Sequence, residues 1–299
     1  MKSLCGVHVV PTTLVVNTLK LTLASTLFNL ELRELGNTGE KIPTIGMGTW
    51  MMGNTTTKGE WSAQVAALQR GIEVGMTLID TAESYGNGKA EQLVGEAVKG
   101  RRENIFIATK VSPGHLRYDD VLEACSGSLE RLGTKYIDLY QVHWPNSAIP
   151  IGETMKAMEV LVHEGKTRYV GVSNFGVQGM KDAQDSLSKA ELVSNQVEYS
   201  PTAREIERNV IPYCERERLS VIAYSPLGRG RIPSGAIPKA LSQRYQMTPA
   251  QIVLNWLTHR ESVVAIPKSA QREHAEENAK SVDRRFAVED YMLLSQSFT

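Results

Sequence analysis

The chain is poor in cysteine, and its few thiols are badly placed to cross-link or to bind a metal. Only three occur in 299 residues, at Cys5, Cys125 and Cys214. They are odd in number, far apart and form no Cys-x-x-Cys pair, so neither a disulfide framework nor a zinc site is expected. We therefore expect no bound metal and a protein that works in a reducing compartment, the cytoplasm.

An excess of charge of either sign is also missing. The sequence has 33 basic and 33 acidic residues, which gives a formal net charge of +0. It contains no basic block or stripe that would mark a nucleic-acid surface, and no acidic tail. This balance argues against a nucleic-acid partner.

A long uninterrupted apolar run is missing as well. Residues 1–30 are rich in Thr, Val and Leu, but Pro11, Asn17 and Lys20 interrupt the apolar stretch. The stretch is too broken to cross a bilayer, and no clear small-x-small site follows it, as a signal peptide would require. We expect no membrane partner. Residues 1–30 should be a loosely attached or disordered extension, or upstream sequence, and residues 31–299 should form one domain.

What the sequence does have is a regular alternation of short apolar runs with helix-like segments. A hairpin is predicted first, where residues 31–35 and 41–44 flank Gly-Asn-Thr-Gly. Between the later runs, apolar residues such as Val65, Leu68 and Ile72 recur at helical spacing. Eight strand-like runs follow the hairpin, at residues 44–49, 76–81, 104–109, 136–142, 168–173, 192–197, 220–224 and 262–266.

Eight alternating strand–helix units without a linker predict a single (β/α)8 TIM barrel, preceded by the N-terminal β-hairpin. The alternative is a doubly wound sheet, whose first strand usually leads into Gly-x-Gly-x-x-Gly. Here the first strand ends in Gly46-Met47-Gly48 without a third glycine at the required place. The barrel is therefore favoured.

Polar and aromatic side chains are concentrated where the predicted strands end. In a barrel of this kind, the carboxyl ends of the strands form the active-site face. The residues at that end are Thr49, Trp50, Asp80, Tyr85, Lys110, His143, Ser173, Asn174, Gln196, Tyr224, Ser225, Lys268 and Ser269. Closing a barrel does not require so much polar chemistry, so the sequence predicts an active site there.

Four of these residues, Asp80, Tyr85, Lys110 and His143, form a predicted catalytic tetrad. They follow successive strands, so a carboxylate, a phenol, an ammonium and an imidazole should converge on one rim. Tyr85 is the expected general acid for a carbonyl oxygen, and a nearby cation is expected to lower its pKa. Lys110 would supply that cation, Asp80 would hold Lys110, and His143 would contact the same oxygen. Taken singly, each residue has a purely structural alternative, such as an ion pair or a histidine packed in the core.

These residues resemble the aldo-keto reductase family, and its prokaryotic members in particular. The resemblance covers residues 31–290. It rests on motifs in family order: Asp-Thr-Ala-x-x-Tyr-Gly at 80–86, Lys110, His143, Gly-Val-Ser-Asn-Phe at 171–175, Asn-Gln-Val-Glu-Tyr at 195–199, Tyr-Ser-Pro-Leu-Gly at 224–228 and Ile-Pro-Lys-Ser at 266–269. It implies a catalytic role for the tetrad and the reversible reduction of aldehydes and ketones to alcohols. The hydride must come from a nicotinamide cofactor, because no side chain donates one.

The resemblance also implies where that cofactor binds. The residues that match the family's nicotinamide contacts are Ser173, Asn174, Gln196 and, for stacking on the ring, Tyr224. Those that match the pyrophosphate contacts are Ser225, Leu227 and Gly228. Thr49 and Trp50, at the end of the first strand, are assigned to the cofactor as well.

At the adenosine end, the matching residues are Lys268 and Ser269 for the ribose phosphate of NADPH, and Glu277 and Asn278 for the adenine. The sequence departs from the family at one position, because the arginine that many members place over the adenine is His274 here. We expect Arg272 to substitute for it in part. The alternative is that Arg272 and His274 lie on an exposed helix face. We expect NADPH to be preferred over NADH.

Trp50, Trp144 and residues 112–116 are expected to line the substrate pocket, and aromatic walls suit small apolar or aromatic carbonyl compounds. The alternative for either tryptophan is packing in the core. The segment after Gly228 is short, and the chain ends soon after the helix-like residues 288–297. We therefore expect an open, permissive pocket.

Two other functions stay open at the level of sequence. Lys110 could be a Schiff-base nucleophile, as in aldolases that also place a lysine at a strand end, but this leaves Gln196, Tyr224 and Lys268 without a role. Some proteins that resemble this family are cofactor-sensing regulatory subunits that bind NADPH with slow chemistry. Residues 1–30 are the candidate partner-binding segment for that function. We expect a monomer or a weak oligomer.

Overall fold

A computed structural model describes residues 30–54 and 57–298 of the chain. A two-stranded antiparallel hairpin comes first, formed by β1 (Leu32–Glu34) and β2 (Lys41–Pro43). The eight strands that follow are β3 (Met47–Gly48), β4 (Leu78–Asp80), β5 (Phe106–Val111), β6 (Ile137–Val142), β7 (Thr167–Ser173), β8 (Leu192–Glu198), β9 (Ser220–Tyr224) and β10 (Val263–Ala265). The predicted extension lies outside the described residues except for Leu30, which packs in the core.

The eight strands form one parallel sheet in sequence order, and the sheet closes on itself. Each strand from β3 to β10 pairs with its neighbour along the chain. The two outer strands meet through isolated bridges, Ile45 with Ala265 and Gly48 with Lys268. At this seam the amide of Gly46 donates to the carbonyl of Ala265 at 2.8 Å. The predicted (β/α)8 barrel with an N-terminal hairpin is confirmed.

Helices cover the outside of the barrel, and local signals in the sequence set their ends. Thr248 caps α8 through reciprocal hydrogen bonds with Gln251. Gly133 ends α3 in the left-handed conformation, with φ of 62°. The helices of the described residues are α1 (Lys58–Glu73), α2 (Lys89–Ala97), α3 (Tyr118–Leu132), α4 (Ile151–His163), α5 (Val177–Asp185), α6 (Val210–Glu217), α7 (Lys239–Tyr245), α8 (Pro249–Leu257), α9 (Arg272–Ala279) and α10 (Val288–Ser297).

Two apolar layers stabilise the barrel. The larger layer lies between strands and helices and includes Leu68 and Ile252, both fully buried. The smaller layer fills the barrel interior around Leu139. Leu35 and Ile42 of the hairpin belong to this inner layer, so the hairpin closes the amino-terminal end of the barrel. Burial of each such side chain contributes about 1.5–3 kcal/mol.

The predicted strands occur in the predicted places, but some of their ends differ. The run predicted at 104–109 is β5, Phe106–Val111. It starts later because Arg102–Asn104 forms a 3₁₀ turn, in which the Arg102 guanidinium donates to the Ile105 carbonyl at 2.6 Å. The later end places Lys110 inside the strand. The helix-like residues 288–297 are α10, with the predicted ends.

Candidate active site

A buried ion pair between Lys110 and Asp80 lies at the carboxyl end of the barrel. Nζ of Lys110 on β5 is 2.7 Å from Oδ2 of Asp80, the last residue of β4. Nζ also donates to the carbonyl of Thr81 at 2.9 Å, and Gln196 donates to Oδ1 of Asp80 at 2.7 Å. Burial lowers the pKa of Lys110, but Asp80 and Tyr85 more than offset this, so the net direction is upward. Lys110 is therefore a cation at neutral pH.

The ammonium of Lys110 also reaches Tyr85. Nζ lies 3.3 Å from the phenolic oxygen and 4.9 Å from the centroid of the ring. Burial raises the pKa of Tyr85 and outweighs the lowering by Lys110, while Asp80 raises the pKa further. Lys110 lowers the pKa of Tyr85 as expected, but burial sets the net direction, which is upward. Loss of water disfavours the phenolate more than a lysine already paired with Asp80 favours it. Tyr85 keeps its proton at neutral pH, as a proton donor must.

His143 stands edge-on to Tyr85, with ring centroids 5.6 Å apart and an interplanar angle of 75°. Its Nδ1 lies 3.4 Å from Oγ of Ser84. Burial, followed by the charge of Lys110, lowers the pKa of His143 to about 3. The imidazole is therefore neutral at physiological pH and presents one N–H donor and one lone pair.

Hydroxyl and amide groups beside His143 form a second network. Nδ2 of Asn174 donates to the carbonyl of His143 and to Oγ of Ser173, both at 3.0 Å. Ser173 donates in turn to the carbonyl of Gln196 at 2.9 Å, and the hydroxyl of Tyr224 donates to Oδ1 of Asn174 at 2.9 Å. These bonds hold Asn174 at a φ of 63°, which is uncommon for a residue other than glycine. The network brings together four residues that were predicted to share a site.

The tetrad and this network face a cavity of about 890 Å³. Lys110 lies beneath the cavity, fully buried, and touches its wall through Asp80 and Tyr85. The predicted site residues in the cavity wall are Trp50, Asp80, Tyr85, His143, Trp144, Ser173, Asn174, Gln196, Tyr224, Ser225, Leu227, Lys268 and His274. The structure thus gathers the predicted tetrad and most of the predicted cofactor residues at one place.

Two tryptophans form part of this wall. Trp50 is 46% exposed and Trp144 is 47% exposed, so neither packs in the core. The expectation that residues 112–116 also line the pocket is wrong, since none of them is in the cavity wall. Leu116 packs in the core. Glu83 accepts hydrogen bonds from the backbone and side chain of this segment and holds it outside the cavity wall.

Some predicted cofactor residues lie behind the wall and not in it. Thr49 is buried, and its hydroxyl donates to the carbonyl of Asp80 at 2.9 Å. Ser269 is fully buried and accepts a hydrogen bond of 2.8 Å from Nδ2 of Asn278. The residues assigned to the cofactor that do not line the cavity are Thr49, Gly228, Ser269, Arg272, Glu277 and Asn278. Their roles toward a cofactor stay predictions.

Arg272 and His274, the two residues considered for the family's arginine position, differ in whether they line the cavity. Arg272 and His274 are both exposed on α9. Only His274 lines the cavity. Arg272 therefore lies on an exposed helix face, which was the alternative to a cofactor contact. Glu277 on the same helix accepts a hydrogen bond of 2.6 Å from the hydroxyl of Thr248.

Several residues of the cavity wall were not predicted. The guanidinium of Arg229 lies 5.5 Å from the centroid of the Trp50 ring and 3.7 Å from the carboxylate of Glu198. Arg229 reaches this position from a left-handed backbone, with φ of 56°. The sequence contains no signal that predicts this conformation. Ser84 could have been predicted, because it directly precedes Tyr85 in the motif at 80–86. Met51 adds apolar surface.

A (β/α)8 barrel that carries a phenol, an ammonium, a carboxylate and a neutral imidazole beside a large cavity defines a class of carbonyl-reducing oxidoreductases. A model of the Aldo/keto reductase family matches residues 44–297, and the chain belongs to that family. Members of the family are NAD(P)H-dependent oxidoreductases that act on carbonyl groups, and the protein is an enzyme of this kind.

Similar proteins cover nearly the whole chain. Methylglyoxal reductase YeaE of Escherichia coli (strain K12) is 37% identical over 262 residues, which are 86% of this chain and 91% of the relative. An aldo/keto reductase from Klebsiella pneumoniae, solved in complex with NADP and acetate, is 37% identical with a TM-score of 0.82. The match covers 89% of this chain and 95% of that one. A thermostable aldo-keto reductase solved with the inhibitor epalrestat is 40% identical with a TM-score of 0.85. This match covers 90% of this chain and 100% of that one.

Residues 30–54 and 57–298 hold neither a membrane-spanning helix nor a metal-binding cluster of side chains. Within these residues no helix has the length and apolar character needed to cross a membrane. The same part of the chain holds no group of three or more His, Cys, Asp and Glu side chains placed to bind a metal ion. Cys125 and Cys214 are buried free thiols, and burial raises the pKa of each to about 12. Neither is a reactive thiolate at neutral pH.

Proposed function

We propose that the protein catalyses the reversible, NADPH-dependent reduction of small aldehydes and ketones to alcohols, with Tyr85 as the proton donor. The observation that carries the proposal is the position of Lys110, whose ammonium contacts both the carboxylate of Asp80 and the phenolic oxygen of Tyr85 beneath a large cavity. His143 completes the catalytic set from the side of the Tyr85 ring.

The cavity supports the binding of a nicotinamide dinucleotide. Its volume of about 890 Å³ lies within the range of about 300–1,000 Å³ that small-molecule sites occupy. The amides of Asn174 and Gln196 suit a carboxamide group, and the partly buried ring of Tyr224 offers a face for stacking. When bound, the reduced nicotinamide supplies the hydride.

The exposed ammonium of Lys268 supports NADPH over NADH. It lies in the cavity wall together with His274, and a cation there suits the additional phosphate that distinguishes NADPH. The related reductase from Klebsiella pneumoniae that was solved with NADP supports the same choice. We also assign Ser269, Arg272, Glu277 and Asn278 to this end of the cofactor, as a part of the proposal that rests on the family pattern.

Tyr85 donates the proton from a phenol that is protonated before the reaction. As the proton moves to the carbonyl oxygen, negative charge develops on the phenolic oxygen, 3.3 Å from Nζ of Lys110. A preorganised cation at that point stabilises the charge where it forms and so lowers the barrier. Asp80 keeps Lys110 in place through the 2.7 Å ion pair. A positioned acid contributes a rate increase of ~10²–10⁴-fold.

His143 orients the carbonyl group. Because its imidazole is neutral, it does not compete with Tyr85 as a proton source, and its N–H is available to the carbonyl oxygen. The contact between Ser84 and Nδ1 of His143 leaves Nε2 as the nitrogen that we assign to the substrate. The edge-on packing against Tyr85 supports a contact of the imidazole and the phenol with the same carbonyl oxygen.

The substrate class follows from the wall of the cavity. Trp50 and Trp144, each nearly half exposed, suit small apolar or aromatic carbonyl compounds. A relative named methylglyoxal reductase adds small 2-oxoaldehydes to the class. The balanced charge of the chain supports a small molecule as the partner, and we propose a monomer or weak oligomer.

The structure offers less support to the two alternatives. A Schiff base requires a neutral lysine amine, whereas Lys110 is a buried cation that donates to three oxygen atoms. A regulatory subunit that senses NADPH would bind the cofactor without needing the phenol, the lysine and the imidazole in one place. The contacts among Tyr85, Lys110 and His143 therefore favour the reductase.

The experiment that tests the proposed function is NADPH oxidation with a panel of aldehydes, ketones and dicarbonyls that includes methylglyoxal. We expect saturable turnover with at least one class of carbonyl and a higher kcat/KM with NADPH than with NADH. Saturable NADPH binding without turnover of any carbonyl would favour the regulatory alternative. A kcat/KM with NADH equal to that with NADPH would reject the cofactor preference alone.

A further inference from the structure

Beneath the active site, the barrel interior carries polar side chains that the proposed mechanism does not use. Strand pairing places Lys110, Gln141, Gly171 and Ser194 side by side on β5, β6, β7 and β8. Leu139 belongs to the inner apolar layer, so Gln141, two residues later on the same strand, also faces inward. Barrel interiors are usually filled by bulky apolar side chains, and this row requires an explanation.

Gln141 and Ser194 are buried polar groups without a partner. Both residues are fully buried. Neither Nε2 nor Oε1 of Gln141 makes a hydrogen bond, and Oγ of Ser194 makes none either. The large majority of buried side-chain polar atoms in proteins are hydrogen-bonded. The three atoms therefore have hydrogen-bonding capacity that the packing of the barrel does not use.

Gly171 allows the two side chains to meet. A Cβ atom at Gly171 would lie 2.5 Å from Oγ of Ser194 and 3.0 Å from Cγ of Gln141. The first distance is shorter than real Cβ contacts and the second is tighter than most of them, so the Ser194 hydroxyl and the Gln141 side chain are neighbours across the glycine. A donor hydroxyl thus stands beside an amide that has an unused acceptor.

Gln141 is paired in the sheet with Lys110, whose ammonium binds the carboxylate of Asp80. Burial raises the pKa of Asp80, and the opposing influences come from Lys110, Gln196 and Gln141. Two of these donors are committed, since Lys110 and Gln196 each make a 2.7 Å hydrogen bond to a different oxygen of Asp80. The Gln141 amide also lowers the pKa of Asp80, but its Nε2 makes no hydrogen bond in this arrangement.

We propose that Gln141 is a positioning residue that holds the Asp80 carboxylate during proton transfer, a role that rests on the proposed function. When Tyr85 loses its proton, Lys110 is drawn toward the phenolate and its bond to Asp80 weakens. The Nε2–H of Gln141 then donates to the carboxylate. Its Oε1 accepts from the Ser194 hydroxyl. Because this donor is free before the reaction, its hydrogen bond to Asp80 forms only as charge develops on Tyr85. An interaction that is stronger in the transition state than in the ground state raises kcat.

The test compares the wild type with Gln141→Leu, which keeps the volume of the side chain and removes its amide. We expect kcat to fall about ten-fold, the size expected for a lost hydrogen bond to a charged group, with the Kd for NADPH unchanged. The alkaline limb of the kcat profile should move to higher pH, because Asp80 then holds Lys110 more tightly and the phenolate loses part of its cation. The charged or titratable groups around Tyr85 are Lys110, Asp80, His143 and Tyr224.

Tyr140→Phe is the matched control. The hydroxyl of Tyr140 is also buried and without a partner, but Tyr140 precedes Gln141 on β6 and packs in the outer layer. Its loss should leave kcat and the pH profile unchanged. Ser194→Ala is a milder variant that should lower kcat about two- to three-fold, since it removes a neutral hydrogen bond, and should shift the alkaline limb in the same direction.

The outcomes separate this inference from the proposed function. Folded Gln141→Leu protein with the wild-type kcat and the wild-type alkaline limb would overturn the inference while wild-type turnover still supported the function. If Gln141→Leu does not fold, Ser194→Ala decides the matter, and unchanged kinetics in that variant would count against the role. A wild type that turned over no carbonyl would reject the function and the inference together.

Discussion

Nζ of Lys110 lies 2.7 Å from Oδ2 of Asp80, and both side chains are almost completely buried beneath the cavity. The same ammonium lies 3.3 Å from the phenolic oxygen of Tyr85. The ammonium of Lys110 therefore pairs with the carboxylate of Asp80 before the reaction and is placed to stabilise the phenolate that develops on Tyr85 during it. This double contact is the reason why loss of Lys110 should affect both stability and catalysis.

Lys110→Met should destabilise the protein and nearly abolish turnover. Removing one partner of a buried ion pair typically costs about 3–5 kcal/mol, because the other charge is left buried without compensation. The remaining charge here is Asp80, which keeps only its hydrogen bond from Gln196 and the influence of Gln141. We expect urea unfolding to show a loss of this size and kcat to fall by about 10²-fold or more, since the charge-stabilising group is gone.

The double variant Asp80→Asn with Lys110→Met separates the two effects. It removes the stranded carboxylate, so it should recover a substantial part of the unfolding free energy without recovering kcat. Wild-type stability in the single variant Lys110→Met would contradict the buried ion pair that the structure shows.

His143 should stay uncharged throughout the pH range in which the enzyme works. Its pKa is lowered from 6.5 to about 3 in the folded protein. Because the folded pKa lies below the unfolded one, the associated stability is present above pH 6.5 and is lost as the pH falls from 6.5 toward 3. At pH 5 the loss is at most about 2 kcal/mol. The change in unfolding free energy between pH 7.5 and pH 5 should be smaller by up to this amount in His143→Gln.

The protonation state of His143 is also measurable directly. The NMR signals of its ring should show no titration between pH 5 and pH 8, whereas an exposed histidine titrates with a pKa near ~6.5. A midpoint near that value would show that the imidazole is solvated and charged below neutrality. The role assigned to a neutral N–H would then be incorrect.

Lys268→Met should weaken NADPH binding more than NADH binding. A charge-assisted hydrogen bond to phosphate contributes about 1.5–3 kcal/mol, so the Kd for NADPH should rise about ten-fold or more. The Kd for NADH should change little. Lys99→Met, at an exposed lysine just beyond the end of α2 and outside the cavity wall, is the matched control and should leave both constants unchanged. Equal weakening for both cofactors would reject the phosphate contact.

The barrel was predictable because its signals are local. Apolar runs marked the eight strands, and the cap at Thr248 and the left-handed Gly133 are local features that set the start of α8 and the end of α3. The position of the site followed from a single rule, that polar residues at strand ends in a barrel share one face. Strand ends were harder to predict, since the start of β5 depends on the 3₁₀ turn at Arg102–Asn104.

What the sequence did not reveal depends on contacts between distant residues. The net direction of the Tyr85 pKa is set by burial, and burial depends on the whole barrel. The place of Arg229 over Trp50 requires a left-handed backbone. The approach of Gln141 to Ser194 needs the registers of three strands at once, with Gly171 between the two residues.

The measurement that tests the central claim most directly is carbonyl-dependent NADPH oxidation by Tyr85→Phe beside the wild type, with NADPH binding measured in the same preparations. The substitution keeps the ring that packs against His143 and removes only the hydroxyl. We predict that kcat falls by at least ~10²-fold while the Kd for NADPH is unchanged. Turnover by Tyr85→Phe at the wild-type rate would contradict Tyr85 as the proton donor.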